Sequence, residues 1–327
     1  MKDRILPMAG MLTDEKAAEQ AEMFANRVYK TWQRLAPLFK KQGVGAFRLF
    51  DRDIPEIRAV ADAYVSVEGE LHLFLTEHER RQTALVADWL GGLGEAAARR
   101  FGIPAANIHY RRRGQGGAER SDGRTQSRGR EFLVAEGGMK FWVNLDDFPE
   151  SGLLAEHRLT RARIRDEIRG LRLLHLYGYT GVLTAFAAKG GARATVTVDG
   201  SERYLDWCTR NLETNGLAGP AHRLVQSEVR AFLLRHSGEQ FDHIFCDPPS
   251  HSVRADAPEF DVQRDHSTLL RRLADMLSPK GVLWFTTNLP TFHPSFIDLP
   301  FAEIQPLDSV PEDFRNRQIH RLWRMQR

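Results

Sequence analysis

The stretch LRLLHLYGYTGVLTAFAAKGGARATVTVDG spans residues 171–200. It reads as a short strand, a turn holding Gly178 and Gly181, a helix over 181–189, and a second strand that stops at an acid, Asp199. Short apolar strands separated by helical stretches belong to a parallel sheet covered on both faces. The alternation continues. HRLVQ (222–226), FDHIFCD (241–247) and GVLWFTT (281–287) read as strands, with helices expected at 201–215, 227–236 and 263–278. The expected fold class is α/β, a doubly wound, Rossmann-like sheet.

Ligands of such sheets sit beyond the carboxyl ends of the strands. Four consecutive strand ends carry suitable groups: the loop Tyr177, Gly178, Tyr179, Thr180, Gly181; then Asp199 with Gly200 and Ser201; then Ser227-Glu228; then Asp247. Glycine lets the backbone approach a ligand closely. Asp199 suits both hydroxyls of a ribose, and Glu228 suits an exocyclic amine of adenine. Each feature has a plainer explanation. Gly-x-x-Gly is a common tight turn, and Asp199 is a candidate cap for the helix beginning near Ser201. Their order and even spacing favour a nucleoside-bearing cofactor. NAD would ask for Gly-x-Gly-x-x-Gly and a P-loop for Gly-Lys-Ser/Thr. S-adenosylmethionine has no pyrophosphate to cradle and suits the looser turn.

The fourth strand runs into Asp247-Pro248-Pro249-Ser250. Proline lacks an N–H and has a fixed φ, so the pair makes a stiff, donor-poor turn whose carbonyls remain acceptors. A Pro-Pro pair can also be a simple strand terminator. After a strand-end acid it reads as the acceptor side of a methyltransferase, and Asp247, Pro248, Pro249 and Ser250 are the candidate catalytic residues. Serine cannot stack on a flipped base as the Tyr or Phe of adenine-N6 enzymes does. Cytosine C5 needs a cysteine nucleophile. Cys208 sits in the helix after Asp199, and Cys246 lies within the fourth strand. Guanine N7 already carries an in-plane lone pair and no proton, so it asks only for positioning.

The chain has 327 residues, 42% hydrophobic and 27% charged, with a formal net charge of +3. That is room for two domains of ordinary globular composition. Two cysteines without zinc-like spacing imply reduced thiols and no metal. No apolar h-region opens the chain and no run of about 18 apolar residues occurs, so neither a signal peptide nor a membrane span is expected. The expected location is the cytoplasm.

Upstream of the sheet, 14–41 reads as an amphipathic helix through Phe24, Val28, Trp32, Leu35 and Leu38, stopped by Gly43. AFRLF (46–50), AYVSVEG (63–69) and LHLFLTE (71–77) read as strands. A helix at 80–101, a strand at 107–112 and a hairpin around Gly137-Gly138 complete a small α+β unit. The expected domains are 1–150, for RNA or substrate, and 151–327, for catalysis.

Several stretches are similar to the bacterial 23S ribosomal RNA guanine-N7 methyltransferase family, known as the C-terminal half of a fused large-subunit enzyme. They are MFANRVYK (23–30), FRLFDRDIPE (47–56), VNLDDFPESGLLAEHR (143–158), HLYGYTG (175–181), VDGSERYLDWCTRNLETNGL (198–217), FDHIFCDPPS (241–250), EFDVQRDH (259–266) and PEDFRNRQIHRLWR (311–324). The resemblance implies a class I methyltransferase sheet with a small N-terminal α+β RNA-binding domain, S-adenosylmethionine, and 23S rRNA or a large-subunit precursor as partner. By position, Asp199 matches the ribose-binding acid, Glu228 an aspartate near the adenine, and Asp247–Ser250 the acceptor motif. Gly152, Glu156 and Arg158 match a segment that closes over the cofactor. Departures are Gly178 where a cysteine is expected, Ser250-His251 for Thr-Phe, and Thr286-Thr287-Asn288 for Ser-Asn-Asn. No counterpart of the fused enzyme's other half is present.

Residues 110–130, YRRRGQGGAERSDGRTQSRGR, hold seven arginines and two acids in a Gly/Ser-rich loop. Concentrated charge on a nearly neutral chain suits phosphate, although such a loop can simply be solvated. Arg111, Arg112, Arg113, Arg27, Lys30 and Arg264 are the candidate RNA contacts. Competing readings are methylation of another RNA base or of a protein glutamine, a non-catalytic RNA-binding assembly factor, and a nicotinamide oxidoreductase.

Overall fold

Thr13 opens the first helix, α1 (Asp14–Gln42). Its hydroxyl accepts from the Lys16 N–H at 3.3 Å, and Gly43 closes the helix in the left-handed region at φ 66°. Acids in the first turn and lysines in the last complement the helix dipole. Phe24, Val28, Leu35 and Phe39 face inward. Leu38, expected in this stripe, is exposed; Phe39, four residues on from Leu35, takes the inward position instead. The computed structural model describes residues 12–78, 88–113, 130–235, 238–254 and 257–327.

The chain divides into two compact units, Met1–Gly138 with Val143–Ser151, and Met139–Trp142 with Gly152–Arg327. In the first, β1 (Ala46–Asp51), β2 (Ala59–Val65) and β3 (Leu71–His78) run antiparallel. After α2 (Trp89–Phe101), β4 (Ile108–Arg113) pairs with β3 in parallel. The middle strand lies earlier than expected. Ser66–Gly69 belongs to a turn, where the Ser66 hydroxyl accepts from the Glu70 N–H and Gly69 takes φ 94°. The beginning of the expected second helix, 79–87, lies outside the described residues, as does 114–129 of the arginine-rich loop. Phe24, Phe47, Phe50, Leu73, Leu75 and Leu93 form the core. β5 (Glu131–Glu136) and β6 (Met139–Asn144) are the strands expected around Gly137-Gly138.

The second unit begins with a 3-10 turn, Ala155–His157, leading into α3 (Arg158–Glu167). Then follow β7 (Arg172–Leu176), α4 (Val182–Lys189), β8 (Ala194–Asp199), α5 (Glu202–Thr214), β9 (His222–Gln226), α6 (Val229–Arg235) and β10 (Phe241–Cys246). After a hairpin of β11 (His251–Arg254) and β12 (Ala257–Asp261) come α7 (Val262–Asp275), β13 (Leu277–Thr287), β14 (Glu303–Leu307) and β15 (Arg321–Gln326). The sheet order is β14-β15-β13-β10-β7-β8-β9. Its five central and outer strands from β13 to β9 are parallel, and β15 is antiparallel to both its neighbours. The class I, Rossmann-like sheet expected from the sequence is therefore present.

Both faces of this sheet are apolar because both are covered. Leu174, Ile244, Leu283 and Phe285 pack with Leu269, Leu270 and Leu273 of α7. Leu173, Phe245 and Trp284 pack on the other face with Ile164 of α3 and Leu183 of α4. Each fully buried large side chain contributes roughly 1.5–3 kcal/mol. The hairpin and the strands β14 and β15 were not expected. β15 carries Arg321 and Arg324 among apolar residues, and β14 carries Pro306, tolerated because it lies on the sheet edge.

Candidate active site

The register of the parallel strands decides which loops meet. Leu176, at the end of β7, pairs with Val198 of β8 and with Cys246 of β10. Asp199 pairs with Gln226, and Cys246 with Phe285. The chain therefore leaves the sheet on one edge at Tyr177, Asp199, Ser227-Glu228, Asp247 and Thr287-Asn288. Strand order reverses between β7 and β10, the place where open α/β sheets bind ligands.

The loop after β7 is held in an unusual shape. Tyr177, Tyr179 and Gly181 take φ of 54°, 47° and 70°, a region that bulky residues adopt only under constraint. The constraints are hydrogen bonds. Gly178 N–H donates to the Val198 carbonyl at 3.0 Å, and Tyr179 N–H donates to Asp199 Oδ2 at 2.9 Å. Tyr179 Oη accepts from the Gly152 N–H at 2.8 Å, while Thr180 Oγ1 donates to the Gly152 carbonyl at 2.6 Å. Gly152 takes φ 95°, and a Cβ there would stand 2.3 Å from the Trp207 ring. The segment before α3 is thus tied to the glycine loop.

Asp199 Oδ1 accepts from the Ser201 N–H at 2.8 Å. The cap of α5 is Ser201, whose hydroxyl accepts from Tyr204 N–H. Asp199 is braced on both oxygens by main-chain donors. Gly200 lies between these two anchors. Gly181 and Gly178 have no room for a side chain: a Cβ would lie 1.9 Å from Cys208 Sγ and 2.2 Å from Thr197 Cγ2, respectively. The Thr197 methyl therefore accounts for glycine at 178 in place of the cysteine that the resemblance led one to expect. Glu228 Oε2 accepts from the Ala231 N–H at 2.9 Å at the start of α6, and its other oxygen lies 3.6 Å from Arg230 Nε.

Asp247 stands at the end of β10, with its Oδ2 3.3 Å from His157 Nε2. Pro248 is buried and Pro249 exposed. Ser250 Oγ donates to Asn288 Oδ1 at 2.6 Å, which links the acceptor loop to the end of β13. A cavity open to solvent lies beside the glycine loop, walled by Tyr177–Thr180, Leu154, His157, His175 and Asp247.

Burial pushes the Cys246 thiol well above its ordinary value and the Cys208 thiol up to about 12, in each case with a nearby aspartate adding to the effect. Neither is a nucleophile at neutral pH. Burial also raises the Tyr177 phenol and lowers His175 to about 3, against the opposing pull of Asp247. His175 is a neutral donor-acceptor, bonded through Nδ1 to Thr184 Oγ1 at 2.8 Å.

Other singled-out residues are placed differently. Arg158 turns away from the cavity and pairs at 2.5 Å with Asp313, whose side chain is fully buried. Glu156 is half-buried beside it. Arg111 is a correction to the RNA-contact expectation. It is buried, donates to the carbonyls of Phe148 and Pro149, and lies over the Phe74 ring, so its guanidinium is spent on the fold. Arg27 pairs with Asp53, Arg112 with Asp88, and Arg264 with Asp265, all exposed arginines. Lys30 is exposed on α1. Arg113 closes β4, with its side chain outside the described part. His157 was missed, since a histidine between Glu156 and Arg158 has no sequence signature.

The donor set fits S-adenosylmethionine. Carboxylates stand at three strand ends around a glycine loop whose left-handed backbone opens beside a cavity, and no group of three or more His, Cys, Asp or Glu among the described residues could hold a metal ion. Among the described residues no helix is long and apolar enough to cross a membrane. The S-adenosylmethionine-dependent methyltransferase family matches residues 107–314. The chain is 38% identical, over 92% of its length and 86% of the relative's, to the ribosomal RNA large subunit methyltransferase K of Neisseria meningitidis. It is 37% identical to the ribosomal RNA large subunit methyltransferase K/L of Stutzerimonas stutzeri, over 98% of this chain and 44% of that one. A solved methyltransferase candidate complexed with SAH superposes with a TM-score of 0.74 at 20% identity, over 94% of this chain and 82% of that one. A SAM-dependent methyltransferase from Agrobacterium tumefaciens does so with a TM-score of 0.60 at 19% identity, over 82% and 87%. The chain belongs to the S-adenosylmethionine-dependent methyltransferases, as a relative of the ribosomal RNA large subunit methyltransferases K and K/L.

Proposed function

We propose that this enzyme methylates 23S ribosomal RNA of the large subunit at N7 of a guanine. The names of its relatives support the RNA class. The observation that carries the N7 reading is the chemistry of the acceptor end. Both thiols are buried and protonated, and the polar side chains there include Asp247, Ser250, Thr287 and Asn288, with His157 against Asp247. Cytosine C5 would need a thiolate. N7 needs neither nucleophile nor base, only in-line placement and acceptors that tolerate a growing positive charge.

Bound S-adenosylmethionine supplies an electrophilic methyl group. Asp199 receives ribose hydroxyls, Glu228 faces the adenine, and residues Tyr177 to Gly181 line the remainder of the cofactor. Asp247 and the Pro248 carbonyl orient the base, and Pro249 and Ser250 keep the loop in shape. Lys30 and the exposed Arg27, Arg112 and Arg264 serve as phosphate contacts. Their ion pairs are surface pairs, worth little and readily exchanged for phosphate.

The test is methyl transfer from labelled S-adenosylmethionine to deproteinised ribosomal RNA lacking its own modifications, followed by nucleoside mass spectrometry. The expected product is 7-methylguanosine, lost in Asp247→Ala. Label in another nucleoside overturns the N7 reading and points to the Ser250-His251 and Thr287-Asn288 pocket.

A further inference from the structure

His157 is a buried histidine that the chemistry above does not use. It ends the 3-10 turn before α3 and is only 6% exposed. Nε2 lies 3.3 Å from Asp247 Oδ2. The ring lies against His320, centroids 4.4 Å apart and tilted by 32°, with Phe245 edge-on at 6.0 Å. Its Nδ1 is buried with no hydrogen-bond partner among the described residues. A histidine kept only for packing would have its polar atoms satisfied or be replaced by an apolar ring. Here the one polar contact shown goes to the acceptor loop.

The neighbours exclude a substitute for this contact. His175, on the same cavity wall, has its Nδ1 on Thr184 and is held neutral by burial. His320 Nε2 is bonded to Ser309 Oγ at 2.8 Å, and burial also lowers its pKa. Arg161 donates to the Leu154 carbonyl at 2.7 Å, and Arg158 faces Asp313. Asp247 is a quarter exposed and leads into two prolines that offer no N–H to hold a carboxylate. Without a donor, its carboxylate would rotate freely about its last torsion.

We infer that His157 is the positioning residue for Asp247. Its Nε2–H holds Oδ2, which leaves the other carboxylate oxygen aimed at the acceptor base. His320, stacked behind it, fixes the ring plane. This inference rests on the reading of Asp247 as the residue that orients the base.

Single-turnover methyl transfer by the full chain, with cofactor affinity by calorimetry, tests it. His157→Leu lowers the rate about 10- to 100-fold, the scale of one lost hydrogen bond to a charged group, while cofactor affinity changes less than about threefold. Should His157→Leu fail to fold, two amides decide. The His157→Gln amide reaches the Nε2 position and retains most of the rate; the His157→Asn amide reaches only Nδ1 and does not. A wild-type rate in His157→Leu, or equal rates in the two amide variants, overturns the inference while Asp247→Ala remains inactive. A full rate in Asp247→Ala overturns the reading of Asp247 itself.

Discussion

The two ends of the site are built in different ways. At the cofactor end the carboxylates are braced by main-chain donors, from their own turns and from the loop after the neighbouring strand. Asp199 takes N–H groups from Tyr179 and Ser201, and Glu228 takes that of Ala231. At the acceptor end the contacts join side chains far apart in sequence, Ser250 with Asn288 and His157 with Asp247. Local main-chain bonds form wherever the strand and loop form. Side-chain contacts across the sheet edge form only when distant segments have been packed. The cofactor end is thus a property of the sheet, and the acceptor end a property of its decoration, where target choice can change without loss of the cofactor.

Asp199→Ala should have the largest effect on this contrast. It removes the proposed ribose acceptor and the brace of the glycine loop together, so cofactor affinity by calorimetry falls about 100-fold or more. Unchanged affinity would mean the main-chain bracing is not what builds the cofactor end.

Next is Gly178→Cys. Its Cβ meets the Thr197 methyl, and overpacking of this kind costs about 1–3 kcal/mol in denaturant unfolding. Thr197→Ser in the same chain keeps the hydroxyl bonded to Thr184 and removes only the methyl. It should restore most of the stability; failure to do so removes Thr197 as the reason for glycine there.

Two histidines inside the sheet are held neutral by burial, and that makes the fold acid-sensitive. His175 titrates near 6.5 when unfolded and near 3 when folded. Protons therefore enter the unfolded chain first as pH falls. Stability from this group is complete above pH 6.5 and is lost between 6.5 and 3 at about 1.4 kcal/mol per pH unit. His243, lowered to about 4 by burial, acts in the same direction. Urea midpoints at pH 7, 6 and 5 should fall, with a flatter slope in His175→Gln. An equal slope in that variant would refute the assignment to His175.

The smallest effect is expected for Ser250→Ala. It loses one exposed hydrogen bond, so methyl transfer should slow by about two- to fivefold with cofactor affinity unchanged. A change in affinity of the same size would erase the distinction between the two ends.

Much of this was legible in the sequence, for reasons that differ by element. β7, β8, β9, β10 and β13 announced themselves as short apolar runs because a parallel sheet buried on both faces needs little else. β15 did not, since Arg321, Arg324 and Gln326 interrupt its apolar run, and β14 is an edge strand carrying a proline. The middle strand of the first unit was misjudged by a few residues because Ala59–Ala63 has low strand propensity and Val65-Ser66-Val67 alternates apolar and polar as a strand does. Leu38 and Phe39 exchanged roles because one residue's step around a helix decides which of two adjacent apolar side chains faces inward.

By itself the sequence determined the alternation of strand and helix, the glycine loop and the three acids at strand ends. Each of these is a local pattern read along a few consecutive residues. The tertiary structure alone decided that Arg111 and Arg158 are held by main-chain carbonyls and a buried acid, that Thr197 requires Gly178, and that His157 stands against Asp247. Those facts depend on which side chains occupy one small volume, and segments distant along the chain share that volume only after the sheet has closed its register and the helices have covered it.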